Sequence, residues 1–237
     1  GALVGDFGTS YYYNEPAMSV VLERAPATLT LACAALLISV VLGIPAGIVA
    51  AVKRNSVSDA VIRVLALLGQ CMPAFWLGIM LIMLFAVKLG WMPTGGAEDG
   101  LRSLILPAFT LGVFSAATIC RLLRSNLIEV LGKEYIDVAK AKGLPKSKII
   151  GKHALKNAMS SIITILGMQF ASLLGGSVIT EQVFAWPGVG RLVIQSITTS
   201  DFAVVECIVF LMAVIFVVIN FIVDVLYCVI NPRVRLQ

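Results

Sequence analysis

Few residues in this chain carry side chains that could do chemistry, and their spacing argues against an active site. The only histidine, His153, sits among lysines, so neither a histidine-based metal site nor a Ser/His relay can be assembled. Five cysteines, Cys33, Cys71, Cys120, Cys207 and Cys228, fall inside apolar runs with no C-x-x-C pair, which reads as small buried hydrophobes. Gly132-Lys133 and Gly151-Lys152 lack the preceding glycine and following hydroxyl of a phosphate loop, G-x-x-x-x-G-K-S/T, so nothing here is built to hydrolyse ATP. Three carboxylates border apolar segments: Glu181, Glu206 and Asp224. Ionisable groups near lipid are functional candidates by default; for Asp224 the expected role is a structural pairing with Arg233 or Arg235. No paired aspartates or histidine cluster lies within an apolar run, so an intramembrane enzyme fares worst among the classes weighed.

The elements that must carry these residues are apolar. Of 237 residues 59% are hydrophobic and 13% charged, with a mean hydropathy of +0.97. A soluble domain carries about 25% charged residues, so the solvent suited to this surface is lipid, and the net charge of +5 is a question of membrane sides and not of nucleic acid. A bilayer core needs about 20 apolar residues per helix. Five stretches qualify: 27–52, 64–87, 103–120, 157–180 and 203–230. The expected fold is therefore all-α and integral to the membrane, with residues 1–26 as an extramembrane N-terminal segment, a transmembrane domain over 27–232, and a tail at 233–237.

Basic residues orient it. With the N-terminus outside, 14 of 18 lysines and arginines fall on the cytoplasmic side, leaving only Arg24, Lys88, Arg102 and Arg191 opposite, as the positive-inside rule requires. Two runs contain breakers. Gly43-Ile44-Pro45-Ala46-Gly47 places a proline between glycines spaced for close helix approach, and Pro73 removes a backbone hydrogen bond in mid-run. Pro45, Pro73, Gly175 and Gly176 are candidate gate or kink positions, with ordinary packing kinks as the alternative.

The stretch 121–157 has nine basic and three acidic residues, too many to enter lipid. Residues 134–142 favour a helix with Tyr135, Val138, Ala139 and Lys142 along one face. Gly143 should stop it, with Pro145 following, and a second helix should begin near Lys146. A short helix, a corner and another helix suit docking against a partner protein; a basic hairpin lying on anionic lipid is the other reading.

Asp137-Val138-Ala139 followed by Gly143 resembles the E-A-A-x-x-x-G signature of ABC importer permeases. The wider string EYIDVAKAKGLPKSKIIGKHALKN (134–157) is similar to permeases of the dipeptide, oligopeptide, glutathione and nickel family, as are GDFGTS (5–10), FAWPGVGR (184–191) and the ending 224–233. Asp137 and Val138 depart from the signature's Glu and Ala, and Ser160-Ser161 stand where relatives often have proline. The resemblance implies a type I importer permease bundle with a cytoplasmic coupling-helix loop, paired with a second permease and moved by ABC ATPase subunits. Those ATPases, and not this subunit, would hold ATP and magnesium, and an extracytoplasmic solute-binding protein would deliver a small peptide, glutathione or nickel chelate. It further implies a bacterial inner-membrane location and ATPase coupling through Glu134, Tyr135, Asp137, Ala139, Lys140, Gly143 and Leu144. Trp186, Pro187 and Gly188 are the candidate outer-face turn. Relatives begin with one more membrane helix, and the chain starts at Gly1 without methionine, so six helices are expected in the intact subunit. A secondary transporter or channel, not driven by ATP, is the rival.

Overall fold

Apolar runs close their own backbone hydrogen bonds as helices because lipid offers no partners, and the computed structural model of the chain follows that rule. It describes residues 6–230, apart from the side chains of 160, 161, 176, 224 and 226–230. The predicted tail at 233–237, the Asp224–Arg233 or Arg235 pairing and Cys228 therefore lie outside the described residues or side chains. Among the described residues there is no strand, only an isolated bridge between Thr9 and Pro16. Ten helices follow in order: α1 (Ala17–Val52), α2 (Val57–Cys71), α3 (Ala74–Leu81), α4 (Leu101–Leu131), α5 (Glu134–Ala141), α6 (Lys146–Lys148), α7 (Leu155–Gly176), α8 (Val178–Val183), α9 (Val189–Thr198) and α10 (Phe202–Ile230). Wider π-helical turns continue α3 over Ile82–Lys88 and join α6 to α7 over Ile149–Ala154.

Among the described residues, three helices are long and apolar enough to cross a membrane, and five spans result if α2 with α3 and α6 with α7 each count as one broken span. Counted that way, the structure matches the five expected spans, with shifted ends. Helix α1 starts ten residues before position 27, and α4 runs on through Arg121 and Arg124 to Leu131. The apolar run marks where lipid ends; the helix continues because arginine, leucine and glutamate propagate it well in water. Conversely α7 stops at Gly176, short of position 180, and the chain restarts as α8. Pro45 lies within the uninterrupted α1, whereas Pro73 caps the start of α3 at the break after Cys71, its own ring nitrogen having no hydrogen to give.

The chain forms two compact units. Residues 1–37, 72–112 and 170–220 make the first. Its core gathers Ala17, Val20 and Val21 of α1, Val189 and Leu192 of α9, and Val204, Cys207 and Ile208 of α10. Residues 38–71, 113–169 and 221–237 make the second, with a core of Ala51, Ile119, Leu123, Leu127, Val130, Ile136, Ala139, Ile149, Ala154, Ala158 and Ile162. In that unit the G-x-x-x-G spacing does what it is suited to do. A Cβ on Gly43 would stand 2.7 Å from the Ala116 carbonyl oxygen, and one on Gly47 would stand 3.0 Å from that of Cys120. Only bare backbone lets α1 lie this close to α4.

Outward-facing side chains are apolar along the helices: Leu37, Val41, Val209, Val217 and Phe221 are all more than half exposed. Water would penalise such a surface and lipid does not. The same logic corrects one expectation. Cys120 and Cys207 are buried, but Cys33 and Cys71 are exposed, since in an apolar solvent a thiol gains little from leaving the surface.

Candidate functional site

The polar region after α4 condenses into a helix–corner–helix. Glu134 and Asp137 occupy the first turn of α5 and Lys140 the last, matching the helix dipole. The helix ends in a Schellman arrangement: the Leu144 amide donates to the Ala139 carbonyl at 3.3 Å and the Gly143 amide to that of Lys140 at 2.9 Å. This closure requires a left-handed residue, and Gly143 supplies it with φ of 73°. Pro145, extended at φ −65° and ψ 146°, caps the start of α6 at Lys146, and its carbonyl accepts from the Lys148 and Ile149 amides at 2.9 and 3.1 Å.

Which face of α5 is free differs from the face anticipated. Ile136 and Ala139 point inward, 0% and 7% exposed, into the core made with Leu123, Leu127 and Ile149, and Leu144 packs against the same cluster. Tyr135 and Val138 are 40% and 53% exposed. Helical spacing alone grouped Ala139 with Tyr135 and Val138, yet the buried stripe is set by Ile136, the largest aliphatic residue of α5. Of the residues singled out beforehand, Glu134, Tyr135, Asp137 and Lys140 are open to a partner, whereas Ala139 and Leu144 anchor the helix from beneath. Lys140 pairs with Asp137 at 2.7 Å on the surface, and the Asn157 side-chain amide donates to the Tyr135 hydroxyl at 2.9 Å, tying α5 to α7.

A buried ion pair that the sequence reading passed over steadies this unit. Asp59, fully buried on α2, receives Nε of Arg124 at 2.7 Å and Nη2 at 2.8 Å. Its Oδ2 also accepts the Asn55 amide at 3.0 Å, and Arg63 stands 3.4 Å from Oδ1. A fork meeting a carboxylate in two parallel bonds fixes orientation as well as position, so the start of α2 is locked to α4 one residue from Leu123 of the core beneath α5. Nothing in the spacing of 59 and 124 announced the pair; the one available signal was an acid within a basic stretch.

In the other unit, FAWPGVGR forms a tight turn between α8 and α9 around a second buried acid. Glu181 is 0% exposed. Its Oε1 accepts the hydroxyls of Thr28 at 2.9 Å and Ser177 at 2.8 Å, and Oε2 accepts the Arg191 amide at 3.0 Å. Thr28 in turn accepts the Val189 amide at 2.8 Å. Trp186 is buried, with its indole N–H donating to the Ala27 carbonyl at 2.9 Å, so this aromatic anchors the turn to α1. A Cβ on Gly188 would strike the Glu181 carboxylate, and one on Gly190 would come within 2.7 Å of the Val178 Cα. Glycine spacing in the motif thus records contacts with the carboxylate below it. No cluster of metal-ligating side chains occurs among the described residues.

A bundle of apolar, broken helices with a capped helix–corner–helix set on one packed unit is the build of a transporter's membrane subunit, and comparison with known proteins gives its family. The family model described as "Binding-protein-dependent transport system inner membrane component" matches residues 43–236; the chain belongs to this family and is a permease subunit of an ABC importer, a multi-pass inner-membrane protein. It is 42% identical over 234 residues to the Glutathione transport system permease protein GsiC of Escherichia coli K12, covering 99% of this chain and 76% of the relative. The GsiC of Salmonella choleraesuis is 43% identical over 233 residues, covering 98% and 76%. The fold is shared with the MetNI methionine ABC transporter in an inward-facing conformation, at TM-score 0.77 and 20% identity over 90% of this chain and 97% of the other. It is shared also with an amino acid ABC transporter, at TM-score 0.67 and 18% identity, covering 91% and 94%.

Proposed function

We propose that this chain forms half of the translocation path for a small peptide of the glutathione kind and couples that path to ATP hydrolysis in partner ATPases. The observation that carries the coupling half is the two-sidedness of α5. Ile136 and Ala139 root it in the unit's core while Glu134, Tyr135, Asp137, Val138 and Lys140 stay outside. A short helix so rooted passes a push on its outer face into α4 and α7. Gly143 sets the corner, and ATP with magnesium belongs to the ATPases that would seat α5. A second permease completes the path, and a solute-binding protein presents the solute on the opposite side, where the N-terminus and the Trp186-Pro187-Gly188 turn lie if the basic 121–157 region is cytoplasmic. Breaks at Pro73 and after Gly175-Gly176 are where the helices would yield during alternation. The peptide assignment draws on the printed function of the GsiC relatives and on no residue of the path.

The test is reconstitution of the transporter with its ATPases and binding protein in proteoliposomes. ATP-dependent uptake of glutathione or a di- or tripeptide is expected, and it should collapse in Tyr135→Ala combined with Val138→Asp without loss of protein from the membrane. Uptake driven equally by an ion gradient with the ATPases absent would sink the proposal.

A further inference from the structure

Beside the Glu181 turn lies a cavity of about 290 Å³, lined by Tyr12, Tyr13, Arg24, Arg191 and Gln195, with Pro187, Gly188 and Leu192 behind them. Two arginines therefore line a space to which no acidic residue contributes. Two buried acids bonded to the segments that line it hold hydrogen bonds of their own. Glu181 lies behind Gly188, with its oxygens taken by Thr28, Ser177 and the Arg191 amide. Asp201 turns its Oδ2 to the Ser10 hydroxyl and the Tyr12 amide, and its Oδ1 is buried without a hydrogen-bond partner among the described residues. Arg191 spends one donor, Nη1, on the Ala185 carbonyl at 2.8 Å. Arg24 is odder still: its Nε is buried and has no hydrogen-bond partner among the described residues, and no ion pair there involves it. A buried, charged donor left unmade is costly, and the side chain that carries it lines the cavity.

We infer that this cavity is a carboxylate subsite, in which Arg24 and Arg191 grip the free carboxylate of a peptide-sized solute. Two guanidiniums from different helices suit the two oxygens of a carboxylate, and Tyr12, Tyr13 and Gln195 line the same space. The site is preset, since Trp186 and Glu181 hold the α8–α9 turn and Arg191 with it to α1, which carries Arg24. A free carboxylate is common to all small peptides, so such a subsite would admit the class without selecting a side chain. This inference rests on the peptide reading above.

The test is binding to the assembled, detergent-solubilised transporter in the absence of the solute-binding protein. The probes are di-alanine and its C-terminal amide. The free acid should bind at least about tenfold more tightly than the amide, the scale of one charge-assisted hydrogen bond. Arg24→Gln should bring the acid down to the level of the amide, whereas Arg24→Lys, which keeps the charge, should retain part of the difference; thermal stability of both variants guards against misfolding. Equal binding of acid and amide, or an Arg24→Gln variant that binds like wild type, overturns the inference. So does an effect of Arg24→Gln seen only as weaker association of the binding protein, which would make an acidic side chain of that protein the occupant. If instead the wild-type transporter shows no ATP-driven peptide uptake, the transport reading fails while the binding comparison still decides the subsite.

Discussion

Removing Arg124 should destabilise the second unit far more than a surface ion pair would allow, because it strands Asp59. Breaking a buried pair by deleting one partner costs about 3–5 kcal/mol, most of it the burden of an uncompensated charge; an exposed pair is worth about 0–1 kcal/mol. Asp59 is fully buried, while Arg124 is 21% exposed. Two groups soften the loss: the Asn55 amide at 3.0 Å and Arg63 at 3.4 Å stay beside the carboxylate. Arg124→Ala should therefore cost about 2–3 kcal/mol, between the two limits. Asp59→Ala should cost less, since the freed guanidinium can hydrate, and Asp59→Ala with Arg124→Ala should cost clearly less than the sum. The assay is unfolding of the purified transporter by SDS titration in mixed micelles, followed by far-UV circular dichroism. A shortfall from additivity of at least about 1 kcal/mol marks direct coupling, because independent sites add within about 0.3–0.5 kcal/mol. Additive single losses, or an Arg124→Ala cost below about 1 kcal/mol, would refute the reasoning.

Gly143→Val should abolish ATP-driven uptake with membrane insertion unchanged, since a β-branched residue at φ 73° is strained by about 1–3 kcal/mol and the Schellman closure opens; proteoliposome uptake decides it. Ile136→Ala should lower stability by about 2–5 kcal/mol, as for other large-to-small core changes, whereas Tyr135→Ala, which gives up one exposed hydrogen bond to Asn157, should cost no more than about 0.5–1.5 kcal/mol and lower uptake. Gly43→Leu should force α1 from α4, its first added carbon already 2.7 Å from the Ala116 carbonyl, and cost about 1–3 kcal/mol or more; SDS titration reads it. Glu181→Leu should leave Thr28, Ser177 and the Arg191 amide unsatisfied and destabilise the α8–α9 turn by about 1–3 kcal/mol, and Glu181→Gln, which keeps an acceptor, should do so less.

What could be read from the sequence follows from which forces are local. Spans were legible because lipid penalises every charge and every open backbone group, so the class of each segment is written in its composition. The corner at Gly143 was legible for the same reason: a helix stop, a left-handed residue and a following proline all act within five residues. The close approach at Gly43 and Gly47 showed through as spacing, although the partner helix did not. Boundaries were less legible, as α4 shows: a charge ends a hydrophobic run without ending a helix. Least legible were the pairings that need a third dimension. Asp59 meets Arg124 across 65 positions, and Glu181 meets Thr28 across 153. Neither leaves a periodic trace.

The inward turn of Ala139 and the outward turn of Tyr135 sharpen what a signature like this one encodes. Read as a string, Asp137-Val138-Ala139 and Gly143 look like one contact surface. In the fold they divide into two roles: Ala139 must be small because it packs against the core below α5, and Gly143 must be glycine because the backbone turns left-handed there. Asp137 and Val138, the two positions where this chain departs from the E-A-A pattern, are both exposed. On the proposed coupling role, the departures fall where a side chain would meet only a partner, and the residues that match the pattern are those fixed by the chain's own packing. On that division, exchanging Asp137→Glu and Val138→Ala together should leave folding and the unfolding midpoint untouched. It should change only how well the transporter's own ATPases are engaged, read as the ratio of uptake to ATP hydrolysed. A drop in stability from that exchange, with the ratio unchanged, would place both side chains in the core and overturn the division.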